Sequence, residues 1–170
     1  AWRERREIIF RDQSWHFDCV RDLEAEQRST GRSLGMVPVW RVDRVYLRDR
    51  SDEDRRKHEA TVEARKAQGE LFDFDYKELE FCQRRVRVSW RCNPKCPGHD
   101  CAVLDWGLAE LGRKQSPETA LARMEDLASL DDYDLRFFMG NFFLHQQNFG
   151  IVALWHPKRK YLAQGDLFTP

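Results

Sequence analysis

The sequence predicts a single α+β domain with a small antiparallel sheet, several packed helices and a zinc-binding turn. Three observations predict it. Helical and strand-like patterns are mixed along 170 residues without a regular βαβ rhythm. Apolar residues make up 41% of the chain, and a wholly disordered chain would lack them because it could not offset the entropy of folding. Three cysteines and a histidine crowd into a turn between residues 92 and 101. The length is that of one ordinary domain, read as residues 1–157 followed by a polar tail at 158–170.

The elements follow in order. Glu7–Phe10 reads as a short strand, and Ser14–Arg28 as a charged helix capped by Ser14. Thr30–Gly35 is a loop by its small residues and two glycines. Val37–Arg48 alternates β-branched, aromatic and polar residues, so it reads as a strand with Trp40, Val42, Arg44, Tyr46 and Arg48 on one face. Ser51–Gly69 reads as an exposed charged helix with Ser51 as N-cap and a thin apolar stripe of Ala60, Val62, Ala64 and Ala67. Lys77–Trp90 is a second strand region. There Val86, Val88 and Trp90 share the buried face, while Arg85, Arg87, Ser89 and Arg91 share the other.

A helix is expected near Ala102–Lys114. Another starts at Ser116-Pro117-Glu118, with serine at the cap and proline in the first turn, and runs to about Leu130. Asp134–His145 reads as a buried helix. Phe149–Trp155 is the most apolar strand, ended by Pro157.

The chemistry concentrates in Cys92-Asn-Pro-Lys-Cys96-Pro-Gly-His99-Asp-Cys101. Zinc takes four thiolate or imidazole donors in a tetrahedron, and ligands this close in a turn can reach one ion. The expected set is Cys92, Cys96, His99 and Cys101. The spacing is not that of the usual paired motifs, so Cys82, His145 or His156 stand as replacements for one member. Disulfides compete poorly, because five cysteines leave one over. Cys19 and Cys82 read as unligated cysteines beside aromatic residues.

A catalytic metal would need an open position and a neighbouring acid or base. The candidates are Asp105, Asn141 and His145, with Asp100 beside them. His99, Asn141 and His145 occur in the order of a His-Asn-His nuclease, but the gap from 99 to 141 is long for such a site. Asp73, Asp75, Glu78 and Glu80 offer paired carboxylates without the lysine that a nuclease motif would place after them. No phosphate-binding loop, nucleophile elbow, HExxH or dinucleotide fingerprint is present.

Charge is balanced, with 29 basic and 29 acidic side chains, which argues against nonspecific coating of nucleic acid. Locally the sign switches: five acids lie between Glu70 and Glu80, and five basic groups without an acid between Arg84 and Lys95. A row of Arg85, Arg87 and Arg91, extended by Arg44 and Arg48 if the two strands pair, could lie along a phosphate backbone. Salt bridges within the domain would explain the same arginines.

The chain ends Gln164-Gly-Asp166-Leu167-Phe168-Thr-Pro170. These residues resemble the short bacterial sliding-clamp-binding motif, although Gly165 stands where that motif prefers leucine. The resemblance covers five residues. It implies that Leu167 and Phe168 enter a clamp pocket while Gln164 is hydrogen-bonded, and that the protein is bacterial. The competing reading docks the tail on its own domain. Gln68-Gly-Glu-Leu71-Phe72 repeats the pattern at a place where packing explains it.

No apolar run approaches the roughly 20 residues of a membrane helix, and no signal-peptide pattern opens the chain, so a cytoplasmic protein is expected. The expected function is a zinc-stabilised accessory module that binds nucleic acid within a DNA-processing complex. A small metal-dependent nuclease or hydrolase and a protein–protein adaptor without nucleic-acid binding are the alternatives.

Overall fold

Valine and tryptophan alternate with arginine and serine between residues 84 and 91, and that alternation builds the middle strand of an antiparallel sheet. The computed structural model describes residues 2–72, 80–142 and 145–163. Within them, strands β2 (Arg41–Asp49), β3 (Arg84–Arg91) and β4 (His99–Ala102) pair in the order β2-β3-β4. A second sheet is formed by β1 (Leu34–Pro38), β5 (Arg136–Phe142) and β6 (His145–Trp155), in the order β1-β5-β6. All pairs are antiparallel. The described residues also form six helices, so the α+β expectation is met, with two three-stranded sheets in place of one.

Short links stitch the sheets together. Val39 N–H donates to Leu135 O at 3.2 Å and Trp40 N–H to Arg91 O at 2.9 Å, so adjacent residues bond to opposite sheets. Val103 N–H donates to Val86 O at 3.0 Å, and Leu104 N–H to Ile151 O at 2.7 Å, repeating the arrangement after β4. Between the sheets the Trp90 ring meets Phe137 edge-on at 4.8 Å, and both side chains are fully buried. Each burial of this size stabilises the fold by about 1.5–3 kcal/mol.

Helices close the remaining sides. Helix α2 (Val20–Thr30) buries Val20, Leu23 and Gln27 and ends at Gly31, whose φ of 77° is the left-handed conformation that glycine adopts freely. In α4 (Trp106–Lys114) the Asp105 side chain caps the first turn, and in α5 (Pro117–Leu127) Ser116 does so. Helix α3 (Asp52–Phe72) opens with a reciprocal cap: Asp54 N–H donates to Ser51 Oγ at 3.1 Å and Ser51 N–H to Asp54 Oδ2 at 3.2 Å. Val62 is its buried contact among the described side chains. Helices α1 (Trp2–Arg11) and α6 (Arg159–Ala163) lie against each other. No described helix is long and apolar enough to cross a membrane.

Several expectations are corrected. Glu7–Phe10 is helical, because the short apolar run sits at the end of the charged helix α1, where Phe10 reaches Trp155 at 5.7 Å. Ser14 caps no helix; residues 15–17 run beside β1, with Phe17 N–H on Met36 O at 2.9 Å, and α2 begins only after Cys19. The strand expected over Val37–Arg48 is two strands in different sheets. A bulge between Val42 and Arg44 shifts the alternation, so Val42 pairs with Trp90 on the core side, away from Arg44. Asp134–His145 is not a helix. Leu135, Phe137 and Met139 point inward at every second position, and Phe138 stacks on Trp15 at 5.5 Å on the other face. Ala102 belongs to β4 and not to the helix that follows.

Candidate metal centre

Strand β3 delivers Cys92, and β4 begins at His99, so the two strands hold the ends of the cysteine turn. Local bonds fold what lies between. Cys96 N–H donates to Asn93 O at 3.1 Å, and Lys95 N–H to the Asn93 side chain at 3.0 Å. Gly98 takes a φ of 106°, which a side chain would strain, and its N–H donates to Cys96 Sγ at 3.4 Å. Arg91 anchors the turn from outside, with one guanidinium nitrogen on Cys96 O at 2.9 Å and another on Asp43 at 3.0 Å.

The turn brings Cys92 Sγ, Cys96 Sγ and a His99 nitrogen within 4.8 Å of one another. His99 Nε2 lies 3.6 Å from Cys92 Sγ and 3.1 Å from Cys96 Sγ. Zinc bonds of about 2.3 Å to sulfur and 2.0–2.1 Å to nitrogen, at tetrahedral angles, separate the two kinds of donor by about 3.6 Å. The spacing therefore fits a metal ion. Both cysteines are buried and His99 is half-buried, with its ring against Trp90 at 5.0 Å.

The three donors differ in how readily they give up a proton. Burial pushes the Cys92 thiol up to about 11, and the adjoining Cys96 sulfur adds to that effect. Burial acts on Cys96 in the same direction, but bonds from the backbone at Cys92 and Gly98, the Cys92 thiol and the charge of Arg91 outweigh it. Cys96 thus lies below its ordinary value and is the thiolate that forms first. Burial lowers His99, keeping the imidazole neutral with a lone pair to offer. A cation would displace the remaining thiol proton.

Cys101, expected as the fourth donor, is not in this cluster. It pairs with Val88 in the ladder, while His99 pairs with Trp90. Two residues of strand advance place it about 6.6 Å further along, where it packs against the apolar core. Cys82, His145 and His156 are also outside the cluster. Cys19, read as a bystander, instead lines the same concavity of about 350 Å³ as Cys92, Cys96 and His99. Its place just before the amphipathic run Val20-Arg-Asp-Leu23 was the available sign that it starts a helix.

The arginine row assembles as expected on one face of the β2-β3-β4 sheet: Arg44 lies opposite Ser89, Tyr46 opposite Arg87 and Arg48 opposite Arg85. Carboxylates interlace it. Arg87 pairs with Asp100, which also accepts from Tyr46 at 2.7 Å and Ser89 at 2.8 Å, and Arg91 pairs with Asp43. Arg44 lies over the Tyr46 ring at 4.6 Å, and Arg48 is exposed. Arg85 is half-buried, and its burial and the like charge of Arg50 lower its basicity. It reaches a cavity of about 330 Å³ between α3, α4 and β3, which Arg50, Arg65, Arg84 and Arg113 also line.

The catalytic candidates are dispersed. Asp105 accepts Leu108 N–H at 2.9 Å and Leu154 N–H at 3.2 Å, so its carboxylate fastens α4 to β6. Asn141 bonds Gln146 O at 2.9 Å within the β5–β6 hairpin, and His145 is exposed beside it. That hairpin reaches α2 at Gln27, through Gln147 at 3.0 Å. Cys19, at the other end of α2, is eight residues away, about 12 Å along the helix axis. Asp73, Asp75 and Glu78 lie outside the described residues, as do Gln164, Leu167 and Phe168.

The fold and site together define an α+β domain carrying a Cys-Cys-His centre at the mouth of a strand turn. Residues 16–170 match the family model described as Domain of unknown function (DUF8757), and the chain belongs to that family. No curated protein and no solved structure matches it.

Proposed function

We propose that this protein is a zinc-stabilised binding module that works as an accessory subunit on a nucleic-acid complex. The observation that carries the reading is the convergence of Cys92, Cys96 and His99 to within 4.8 Å. Thiolate and imidazole donors suit zinc, and a centre that ties a strand end to the start of the next strand is structural in kind. The arginine face supplies the contact to phosphate, through Arg44 and Arg48 first, since Arg87 and Arg91 already have carboxylate partners. The C-terminal residues Gln164, Leu167 and Phe168 recruit a protein partner of the sliding-clamp kind.

Metal analysis of the purified protein by native mass spectrometry is the first test. One zinc per chain is expected, absent from a Cys92→Ser, Cys96→Ser double variant that also unfolds at lower temperature. Fluorescence anisotropy with labelled duplex DNA and RNA at several salt concentrations tests the arginine face. Binding should weaken with salt and fall by at least threefold in an Arg44→Ala, Arg48→Ala variant. Binding indifferent to both changes would remove phosphate contact from the reading. Deletion of residues 164–170 tests clamp recruitment directly.

The adaptor reading has its own support. Pairing of Arg87 and Arg91 with Asp100 and Asp43 reduces the charge left for phosphate, while Trp106 and Trp40 are 61% and 46% exposed. Under that reading the anisotropy experiment gives no salt-dependent binding at all.

A further inference from the structure

We infer that Cys19 is the fourth ligand of the metal centre, so that the ion is held by Cys19, Cys92, Cys96 and His99 and clamps helix α2 to the β3–β4 turn. The inference rests on the metal-centre reading above. Three donors leave a structural zinc one short of its tetrahedron. Cys101 is drawn away by the ladder, as its partner Val88 and its core packing require.

Cys19 comes at the centre from the other side. It is the N-cap residue of α2, with extended backbone at φ −151° and ψ 165°, and its side chain makes no capping bond. It lines the concavity that Cys92, Cys96 and His99 line, together with Arg21 and Lys95.

The Cys19 thiol now donates to Asp22 Oδ2 at 3.1 Å, outside the 4.8 Å cluster. One staggered step of its χ1 carries a cysteine sulfur by about 3 Å. Coordination exchanges the Asp22 hydrogen bond for a metal–sulfur bond and releases the thiol proton to solvent. Charges of both signs surround the centre: the carboxylates of Asp22 and Glu24 oppose a further thiolate, and the cations and the helix end oppose them in turn. Three thiolates and a neutral imidazole around a divalent ion leave one net negative charge. That charge sits at the positive end of an 11-residue helix, with Arg21, Lys95 and Arg91 around it.

The competing fourth ligands are Asp22, a water molecule and Cys101, and the test separates them. X-ray absorption at the zinc edge counts sulfur neighbours in the full-length protein as purified. Three sulfurs and one nitrogen are expected in the wild type and in Cys101→Ala, and two sulfurs in Cys19→Ser. Zinc affinity, measured by competition with a chelator, should fall at least tenfold in Cys19→Ser and stay unchanged in Cys82→Ser. Two sulfurs in the wild type, or three that persist in Cys19→Ser and drop in Cys101→Ala, would overturn the inference and leave the metal centre standing. A wild-type protein that binds no zinc would overturn both.

Discussion

Asp105 offers a quantitative test of how the two sheets and their helices are held together. Its two carboxylate oxygens accept from different places: Oδ1 takes Leu108 N–H at the start of α4, and Oδ2 takes Leu154 N–H in β6. Asp105→Ala removes both. Loss of the helix cap costs about 1 kcal/mol. Leaving the part-buried Leu154 N–H without an acceptor costs a further 1–3 kcal/mol, roughly. The sum is about 2–4 kcal/mol, which for a chain of this size lowers Tm by about 5–15 °C. Asp105→Asn keeps one carbonyl oxygen for one of the two amides and should lose about half as much. Thermal and urea unfolding followed by circular dichroism measure both variants. A loss below about 0.5 kcal/mol in Asp105→Ala, the range of an ordinary surface change, would refute the structural assignment and return Asp105 to the list of catalytic candidates.

Three further outcomes are expected. Gly35→Ala places a methyl group 2.7–2.8 Å from the Phe17 ring and Leu23 Cδ1, so urea denaturation should reveal a loss of about 1–3 kcal/mol. Cys101→Ala should keep the full zinc content by native mass spectrometry while losing about 1 kcal/mol of stability for its packing against the core. His156 is lowered from 6.5 by burial, so the unfolded chain takes up its proton at higher pH than the native one. Stability is therefore intact above pH 6.5 and falls as the pH drops from there through the native value. Urea unfolding at a series of pH values should give a shallower decline for His156→Gln than for the wild type; identical slopes would contradict the assignment.

Where one face is buried and the other wet, the sequence was readable. Val86, Val88 and Trp90 alternate with arginine and serine, and that pattern admits only a strand with one inward side. Ser116-Pro117 likewise marks a helix start by chemistry that acts within one turn. Strand β5 was read as a buried helix because both of its faces are covered: Phe138 meets Trp15 where a strand with one wet face would carry a polar residue. The break between β1 and β2 was hidden because Val39 and Trp40 continue the alternation while their backbone bonds go to different sheets. Among the metal donors, Cys92, Cys96 and His99 were visible from proximity in the chain, and Cys101 was misplaced because the extended strand β4 carries it about 6.6 Å past His99 on the same face. Cys19 shares their concavity across more than 70 residues of sequence, and no local spacing rule connects positions so far apart.

The pairing of β1 with β5 joins Leu34 to Gly140, whereas β4 meets β3 at Trp90 and His99, only nine residues apart. Closing the longer loop costs about 2 kcal/mol more entropy than closing the shorter one. The β3–β4 and β5–β6 hairpins can zip on their own, but β1 must find a partner made more than 100 residues after it. At about 5–20 residues per second of synthesis, that is a wait of about 5–20 seconds in which residues 15–17 can line one edge of β1 while its edge toward β5 has no partner. Loop closure alone therefore predicts that the β3–β4 and β5–β6 hairpins form first and that the β1–β5 pairing completes its sheet last.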